Sequence, residues 1–531
     1  MSISGPMVVS EAEIAEAAHA CESEVVNSFL RQLDRDPNRM AVTDDRASVL
    51  TRGELWILSG EIAAEMQSAG LAAGDIVVIC MPNRAEWVAA YLATLRCGLV
   101  PASLPVTTDP DAIAYVVELV AAQALLLPRE HRGRDFAVEA ESISAAVSGR
   151  LSVATFGDAG QRSWHVFDGP IRSRPVYPDG LAHVLFSSST TGRSKAIAHS
   201  DETLSAYNRG VIDRYGVSED QSIFMPSPLG HSTGFWHGAR MSLLTGAALV
   251  LQDRWDPRAA LQAVRRHGCS ITVAATPFLT DLVDVEWDLK EPKLRGMKVF
   301  LCGGAPVSPD LIERAQVQMP DTKIASIWAM SEGGATSSMP DDAPQIVAHG
   351  CGRVLPRVLL ETIADDGTRN PRGVEGEIVM RTPSQCLGYI GQSALFAESF
   401  TEEGYFRTGD LGVVDDAGYL QLTGRLKDLI IRGGVNISPV DIENAVLRHP
   451  RIDKVAVIGS PDDRLGERIC AVVTLREGTL SSNDLVDWLA TEGTPRRLWP
   501  EELHVVSSMP ETPAGKIRKN HLREMITKEK R

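Results

Sequence analysis

Three features of the sequence predict a layered α/β fold built in more than one domain. The first is length, because 531 residues exceed the size at which one hydrophobic core keeps growing. The second is the alternation of short apolar runs with helical spacing through the first part of the chain, the pattern of mostly parallel sheets covered by helices. The third is a change of texture after about residue 350, where paired turn signals separate short strands, followed by an α+β segment from near Lys427.

Taken in order, "DIVVICM" (Asp75 to Met81) reads as a buried strand. Pro82 and Asn83 follow, and then "AEWVAAYLATLRCG", which has helical spacing and a stop at Gly98. Further buried-strand runs lie at Ala124 to Leu127, Ala248 to Gln252, Ser270 to Ala275 and Met297 to Gly304. Beyond them, Asp365-Asp366-Gly367, the pair Gly373 and Gly376, and Asp415 to Gly418 mark turns around strands such as "GEIVMR". In the last segment "DIENAVLRHP" is helical, "KVAVIGS" and "ICAVVTL" are strand-like, and the tail is basic. No repeat and no low-complexity tract interrupts the pattern.

Composition narrows the function. Lys plus Arg number 53 against 69 Asp plus Glu, a formal charge of −16, which argues against nucleic acid or an anionic membrane as partner. No run approaches the ~20 apolar residues of a membrane span. The opening "MSISGPMVVSEAEIAEAAHA" lacks the basic start and apolar stretch of a secretory signal. The eight cysteines (Cys21, Cys80, Cys97, Cys269, Cys302, Cys351, Cys386 and Cys470) are scattered without a CxxC pair. They read as reduced core thiols of a cytoplasmic protein, and zinc is not expected.

Five stretches carry chemistry. "LFSSSTTGRSKAIAHS" (Leu185 to Ser200) sets the hydroxyls Ser187, Ser188, Ser189, Thr190 and Thr191 before Gly192 and Lys195. A strand running into such a loop and then a helix from Asp201 would cradle phosphate with backbone N–H groups, hydroxyls and a cation. It does not match the P-loop spacing, and a solvated surface loop fits it equally. In "WAMSEGG" (Trp328 to Gly334) Glu332 falls on a strand-end loop, where it either holds Mg²⁺ or is merely solvated. "YFRTGDLG" places Asp410 in a Gly-bounded turn, as an acceptor for ribose hydroxyls or a turn cap. "LTGRLKDLIIRGGVNISPVDIE" (Leu422 to Glu443) has glycine breaks around a basic and apolar segment, and "ETPAGKIRK" exposes Lys516 near the carboxyl terminus.

In this order and spacing the five stretches closely resemble the adenylate-forming superfamily of acyl-CoA synthetases, luciferases and peptide-synthetase adenylation domains. "GLAAGDIVVICMPNRAEW", "SPLGHSTGFWHG", "CGGAPVS" and "CLGY" extend the resemblance from about Leu50 to the end. It implies a large N-terminal domain, residues 1–424, and a small mobile C-terminal domain, residues 425–531, hinged near Lys427. It also implies ATP, Mg²⁺ and CoA as ligands, with a small carboxylic acid as substrate, and leaves room for a homodimer.

The resemblance also implies roles at matched positions. Ser187 to Gly192 and Lys195 hold the β- and γ-phosphates, and Gly303, Gly304 and Ala305 border the adenine. Trp328 stands where the family usually has tyrosine. Ser331 lies near the α-phosphate, Glu332 is the magnesium ligand, Asp410 binds the ribose hydroxyls, and Arg425 binds the ribose or phosphate. Gly433 and Gly434 line the thiol-entry tunnel, His231 gates the carboxylate, and Lys516 bridges carboxylate and α-phosphate.

Departures from the family pattern are local. Ser189, Ser194 and Ala196 replace a glycine, a proline and a glycine, which predicts a stiffer phosphate loop. Ala329 replaces a glycine and trims the acyl pocket by one methyl. Phe235, Trp236 and His237 either line an apolar acyl pocket or are ordinary core. The texture resembles the branch for cyclohexanecarboxylate-type and medium-chain acids. An intact "RGGVNISP" favours a carboxylate–CoA ligase; the alternative is an adenylating enzyme that passes its acyl group to an amine or a carrier-protein thiol. A catalytically silent relative is opposed by the retention of Lys516, Glu332, Asp410 and Arg425.

Overall fold

The computed structural model describes residues 23–170, 172–187, 194–287, 292–304, 307–462, 464–511 and 517–529. Two large sheets dominate it. One has nine strands, with Lys323–Met330, Val299–Gly303, Ile271–Ala275, Ser222–Met225, Ala248–Leu251 and Met40–Thr43 running parallel in that spatial order. Its antiparallel edges are Gly333–Ser337 with Arg353–Val354 on one side and Val49–Thr51 on the other. The second sheet has eight strands, with the parallel set His183–Phe186, Val100–Ser103, Ile76–Ile79, Ala124–Pro128 and Leu151–Phe156 at its centre.

The strands read from apolar runs are there, and burial explains why they looked continuous rather than alternating. All four residues of Ile76–Ile79 are buried, as are all four of Ala248–Leu251. Helix Ala85–Arg96 is apolar nearly all round because ten of its twelve residues are buried. Its chain turns at Gly98, whose φ of 65° suits glycine. This helix, helix Asp201–Tyr215 and the segment Phe235–Arg240 share one core with inward residues of both sheets, among them Ile79, Leu126, Leu185, Leu249 and Leu301.

A four-stranded antiparallel sheet follows (Leu359–Ile363, Gly376–Arg381, Phe406–Val414, Leu420–Arg425). A separate sheet begins at Ile430, built on the long hairpin Ile452–Asp462 and Gly466–Leu475. Between these two sheets lies the single 3₁₀ turn Leu426–Asp428.

Two expectations need correction. The hydroxyl-rich loop does not lead directly into a helix. It joins two antiparallel strands, His183–Phe186 and Ala196–His199, and the helix starts only at Asp201, capped by Ser200. Ala196 is therefore a strand residue paired with Phe186. Asp410 is not in a turn but within the nine-residue strand Phe406–Val414, where Gly409 takes a φ of 72° and the local register shifts.

The seven cysteines of the described residues are free thiols, and burial pushes those of Cys80, Cys269 and Cys351 up to about 12. One mixed set of metal-type donors, Cys470, Glu502 and His504, gathers within 4.8 Å at the edge of the last sheet. Cysteine spacing alone does not reveal it. Among the described residues no helix is long and apolar enough to cross a membrane.

Candidate functional site

The carboxyl ends of parallel strands in an open sheet are where crevices form. Strand Lys323–Met330 ends there beside Val299–Gly303, with Ile327 opposite Gly303. A Cβ on Gly303 would stand 3.1 Å from the Ile327 side chain, and Gly304 turns away with a φ of 81°. Ser331 and Glu332 then form the tip of a hairpin whose return strand is Gly333–Ser337.

Each residue of this tip is held by a different part of the chain. The Trp328 indole N–H donates to Asp410 Oδ2 at 3.0 Å, and Arg425 Nε lies 2.7 Å from Asp410 Oδ1. The Ser331 carbonyl is 2.8 Å from His199 Nε2. Burial pushes the His199 imidazole down to about 4, so the ring is neutral at pH 7. Nε2 must then carry the proton and donate to that carbonyl, which leaves Nδ1 as an acceptor 3.1 Å from the Thr203 hydroxyl. The Glu332 carboxylate accepts from Tyr389 Oη at 2.8 Å, and its carbonyl accepts from Cys386 N at 2.8 Å. Gly334 packs against Tyr207 so closely that a Cβ would fall 1.9 Å from that ring. This contact explains the glycine.

The phosphate-loop candidates arrive from the other large sheet. Ser187 N donates to the Lys195 carbonyl at 3.2 Å, and Lys195 N donates to Ser187 Oγ at 3.0 Å, so the two residues close the base of the loop. Lys195 Nζ sits 4.4 Å from the centre of the Tyr389 ring. Ser188, Ser189, Thr190, Thr191, Gly192, Ala305 and Lys516 lie outside the described residues.

His231 precedes a short turn, Ser232–Gly234, and its Nδ1 accepts from Thr233 N at 3.3 Å. Glycines on either side permit close backbone approach, since a Cβ on Gly230 or Gly234 would meet the Leu104 or Pro228 carbonyl near 2 Å. The π-helix Phe235–Arg240 follows, a rare form often found near functional sites. Phe235, Trp236 and His237 are buried in it. Phe235 stacks on His183 at 4.0 Å, Trp236 meets His199 and Tyr207 edge-on, and His237 Nε2 lies 3.3 Å from Tyr207 Oη. Of the two readings left open for these rings, core packing is what the structure shows. Burial pushes His237 down to about 3.

In the last sheet, Gly433 and Gly434 take φ of 59° and 84°, as a two-residue hairpin turn requires. Their turn is fastened to Leu465 rather than to the Lys195–Glu332 array. Lys427 lies in the 3₁₀ turn, where Arg523 Nη2 of the final helix donates to Asp428 Oδ1 at 3.0 Å. Glu511, just before the 512–516 segment, pairs with Lys454 at 2.5 Å. Both lie close enough to Asp281 of helix Thr276–Asp284 to act on it electrostatically.

The structure thus brings Lys195, Ser331, Glu332, Trp328, Asp410 and Arg425 into one connected array, with Gly303 on the strand beside it. Tyr389 and His199, which tie the array together, were assigned no role from sequence. The only signal was the tyrosine closing "CLGY".

Comparison with known proteins identifies the family. Residues 29–390 match the AMP-binding enzyme family, and residues 441–516 match the AMP-binding enzyme C-terminal domain. A medium-chain fatty-acid–CoA ligase of Escherichia coli (strain K12) is 31% identical over 92% of this chain and 88% of its own. A salicyl-AMP ligase / salicyl-S-ArCP synthetase of Mycobacterium tuberculosis is 30% identical over 91% and 87%. ATP-bound MatB from Rhodopseudomonas palustris superposes with a TM-score of 0.82 at 25% identity, covering 96% of this chain and 100% of that one; apo MatB gives 0.70. Amide bond synthetase McbA from Marinactinospora thermotolerans gives 0.79 at 26% identity, covering 94% and 99%. The chain belongs to the family of AMP-binding enzymes, within the adenylate-forming superfamily.

Proposed function

We propose that this enzyme is an ATP-dependent carboxylate–CoA ligase. The observation that carries the reading is the convergence of two chains of contacts on one strand-end hairpin. Trp328–Asp410–Arg425 offers an aromatic face and a carboxylate to a nucleoside. Lys195–Tyr389–Glu332 offers a cation and an acidic ligand to phosphates.

In the first half-reaction a carboxylate oxygen attacks the α-phosphorus, the bond to the β-phosphate bridging oxygen breaks, and pyrophosphate leaves. Two anions must approach, so cations have to offset their repulsion. Lys195 and the hydroxyls of Ser187 to Thr191 would hold the departing phosphates, and Ser331 would flank the α-phosphate. Lys516 would bridge the carboxylate and α-phosphate, and His231 would gate the acid. The Glu332 carboxylate is a hard-oxygen donor already oriented by one hydrogen bond, so its second oxygen suits Mg²⁺. When bound, that ion supplies charge neutralisation at the phosphate oxygens. In the second half-reaction a thiol sulfur attacks the acyl carbon, sheds its proton, and AMP leaves. For that step Lys516 would withdraw by rotation near Lys427, bringing Gly433 and Gly434 to the thiol entry.

The acid is proposed to be of the medium-chain or cyclic aliphatic class, supported by sequence texture and the Escherichia coli relative. Similar likeness to the salicyl-AMP and amide synthetases supports a second reading, transfer to a carrier thiol or an amine. ATP–pyrophosphate exchange over a panel of carboxylic acids, with and without CoA, tests both. Acid-dependent exchange and a CoA ester are expected. Exchange with no CoA ester would replace the first reading by the second, and no exchange with any acid would overturn adenylation.

A further inference from the structure

Tyr389 belongs to the two-residue strand Gly388–Tyr389, which pairs with Ala196–His199 through Ile197↔Tyr389. The same short segment binds Glu332 twice, by the Tyr389 hydroxyl to Oε1 at 2.8 Å and by Cys386 N to the Glu332 carbonyl at 2.8 Å. It also binds the phosphate hairpin twice, through Leu387 N to the Ala198 carbonyl and Ile390 N to the Ala196 carbonyl, both at 2.9 Å or less. The Tyr389 ring carries Lys195 Nζ at 4.4 Å from its centre, and Phe396 packs edge-on at 5.1 Å. A carboxylate can only accept, so the Tyr389 O–H is the donor of this bond. A tyrosine that only filled space would need neither polar contact.

We propose that Tyr389 is a positioning residue serving two ligands of the nucleotide at once: its hydroxyl fixes the metal-binding carboxylate of Glu332, and its ring seats the Lys195 ammonium at the phosphate loop. The inference rests on the nucleotide site described above but not on the acid or the acyl acceptor. It predicts separable losses. Tyr389→Phe keeps the ring and removes only the O–H, so the phosphate cation stays seated while the carboxylate is freed to rotate. Tyr389→Leu removes both supports.

The test is direct binding, with neither acid nor CoA present. ATP affinity is measured by calorimetry in EDTA, and Mn²⁺ is then titrated into the protein–ATP complex by electron paramagnetic resonance. Tyr389→Phe is expected to leave metal-free ATP affinity within about twofold and to weaken Mn²⁺ binding about tenfold, the scale of one hydrogen bond to a charged group. Tyr389→Leu is expected to lose a further several-fold in metal-free ATP affinity, the scale of a cation–π contact.

Wild-type Mn²⁺ affinity in Tyr389→Phe would overturn the proposal. So would equal losses in both variants tracking a fall in Tm, the mark of a packing role alone. If Tyr389→Leu does not fold, a double-mutant cycle with Glu332→Gln decides: the effect of Tyr389→Phe should vanish in the Glu332→Gln background, and additive effects would refute the coupling. A wild-type protein that binds no ATP would defeat the nucleotide site itself, and that failure is recognisable before any variant is made.

Discussion

At the scale of single residues, Trp328 is the most informative departure from the family pattern. A tyrosine, the family's usual residue there, carries its polar atom at the far end of the ring. The indole instead presents its N–H to Asp410 Oδ2 at 3.0 Å while offering a wider face. With Arg425 Nε at 2.7 Å from the other oxygen, the carboxylate is oriented before any nucleotide arrives. Trp328→Phe keeps most of the face and drops the donor. A hydrogen bond to a charged group is worth ~1.5–3 kcal/mol, so KM for ATP should rise about tenfold or more with kcat nearly unchanged. Steady-state kinetics at saturating acid measure this, and a kcat effect without a KM effect would contradict it. Such a link could not be read in advance, because Trp328 and Asp410 are 82 residues apart and neither has a spacing signature. The charged members of the site were legible one by one from their motifs. The neutral residues that tie the array together, Tyr389 and His199, were not, since isolated aromatic residues look like core in any sequence.

At the scale of elements, buried strands and helix Ala85–Arg96 were legible because hydrophobic runs and stop signals are local. The connection after the hydroxyl run was not, for a physical reason. "AIAH" is too short and too apolar to be told from the start of the following helix by periodicity; only its pairing with His183–Phe186 and with Tyr389 makes it a strand.

The large sheets and the elements on them also hide several histidines. Burial holds His199 and His131 down to about 4 and His237 to about 3, with His183 well below its ordinary value. A folded pKa below the unfolded ~6.5 means that the unfolded chain takes up protons first as pH falls. The stability these groups contribute is therefore complete above about pH 6.5 and lost progressively toward pH 4. Thermal melts from pH 8 to 4.5 should show a plateau followed by a steep fall. His237→Phe, which keeps a buried ring, should make that fall shallower, whereas an unchanged slope would remove His237 from the account.

At the scale of the whole molecule, the arrangement of the two units matters more than their separate folds. The chain superposes better on the ATP-bound form of MatB than on its apo form, 0.82 against 0.70. In this arrangement Glu511 and Lys454 lie within electrostatic reach of Asp281. Under the proposed mechanism, Lys516→Ala should lower acid-dependent pyrophosphate exchange by at least ~10²-fold, the scale for losing one charge-stabilising group. Thiolation of supplied acyl-AMP should stay within a fewfold of wild type. Rapid-quench assays of the two half-reactions give the answer, and equal loss of both would count against the assignment. The division into a large and a small unit was foreseeable from the texture change along the sequence; their mutual placement was not, because it rests on contacts between them such as the Ser438 hydroxyl donating to the Thr423 carbonyl.

The mutual hydrogen bonds of Ser187 and Lys195 have a consequence for what the fold tolerates. They clasp the segment between them at its base, so the strands on either side need nothing from its interior to stay in register. The entropic cost of closing a loop rises only slowly with its length, ~0.6 kcal/mol per doubling. Substitutions or insertions between Ser187 and Lys195 should therefore leave the pairing of His183–Phe186 with Ala196–His199 intact and act on phosphate handling instead.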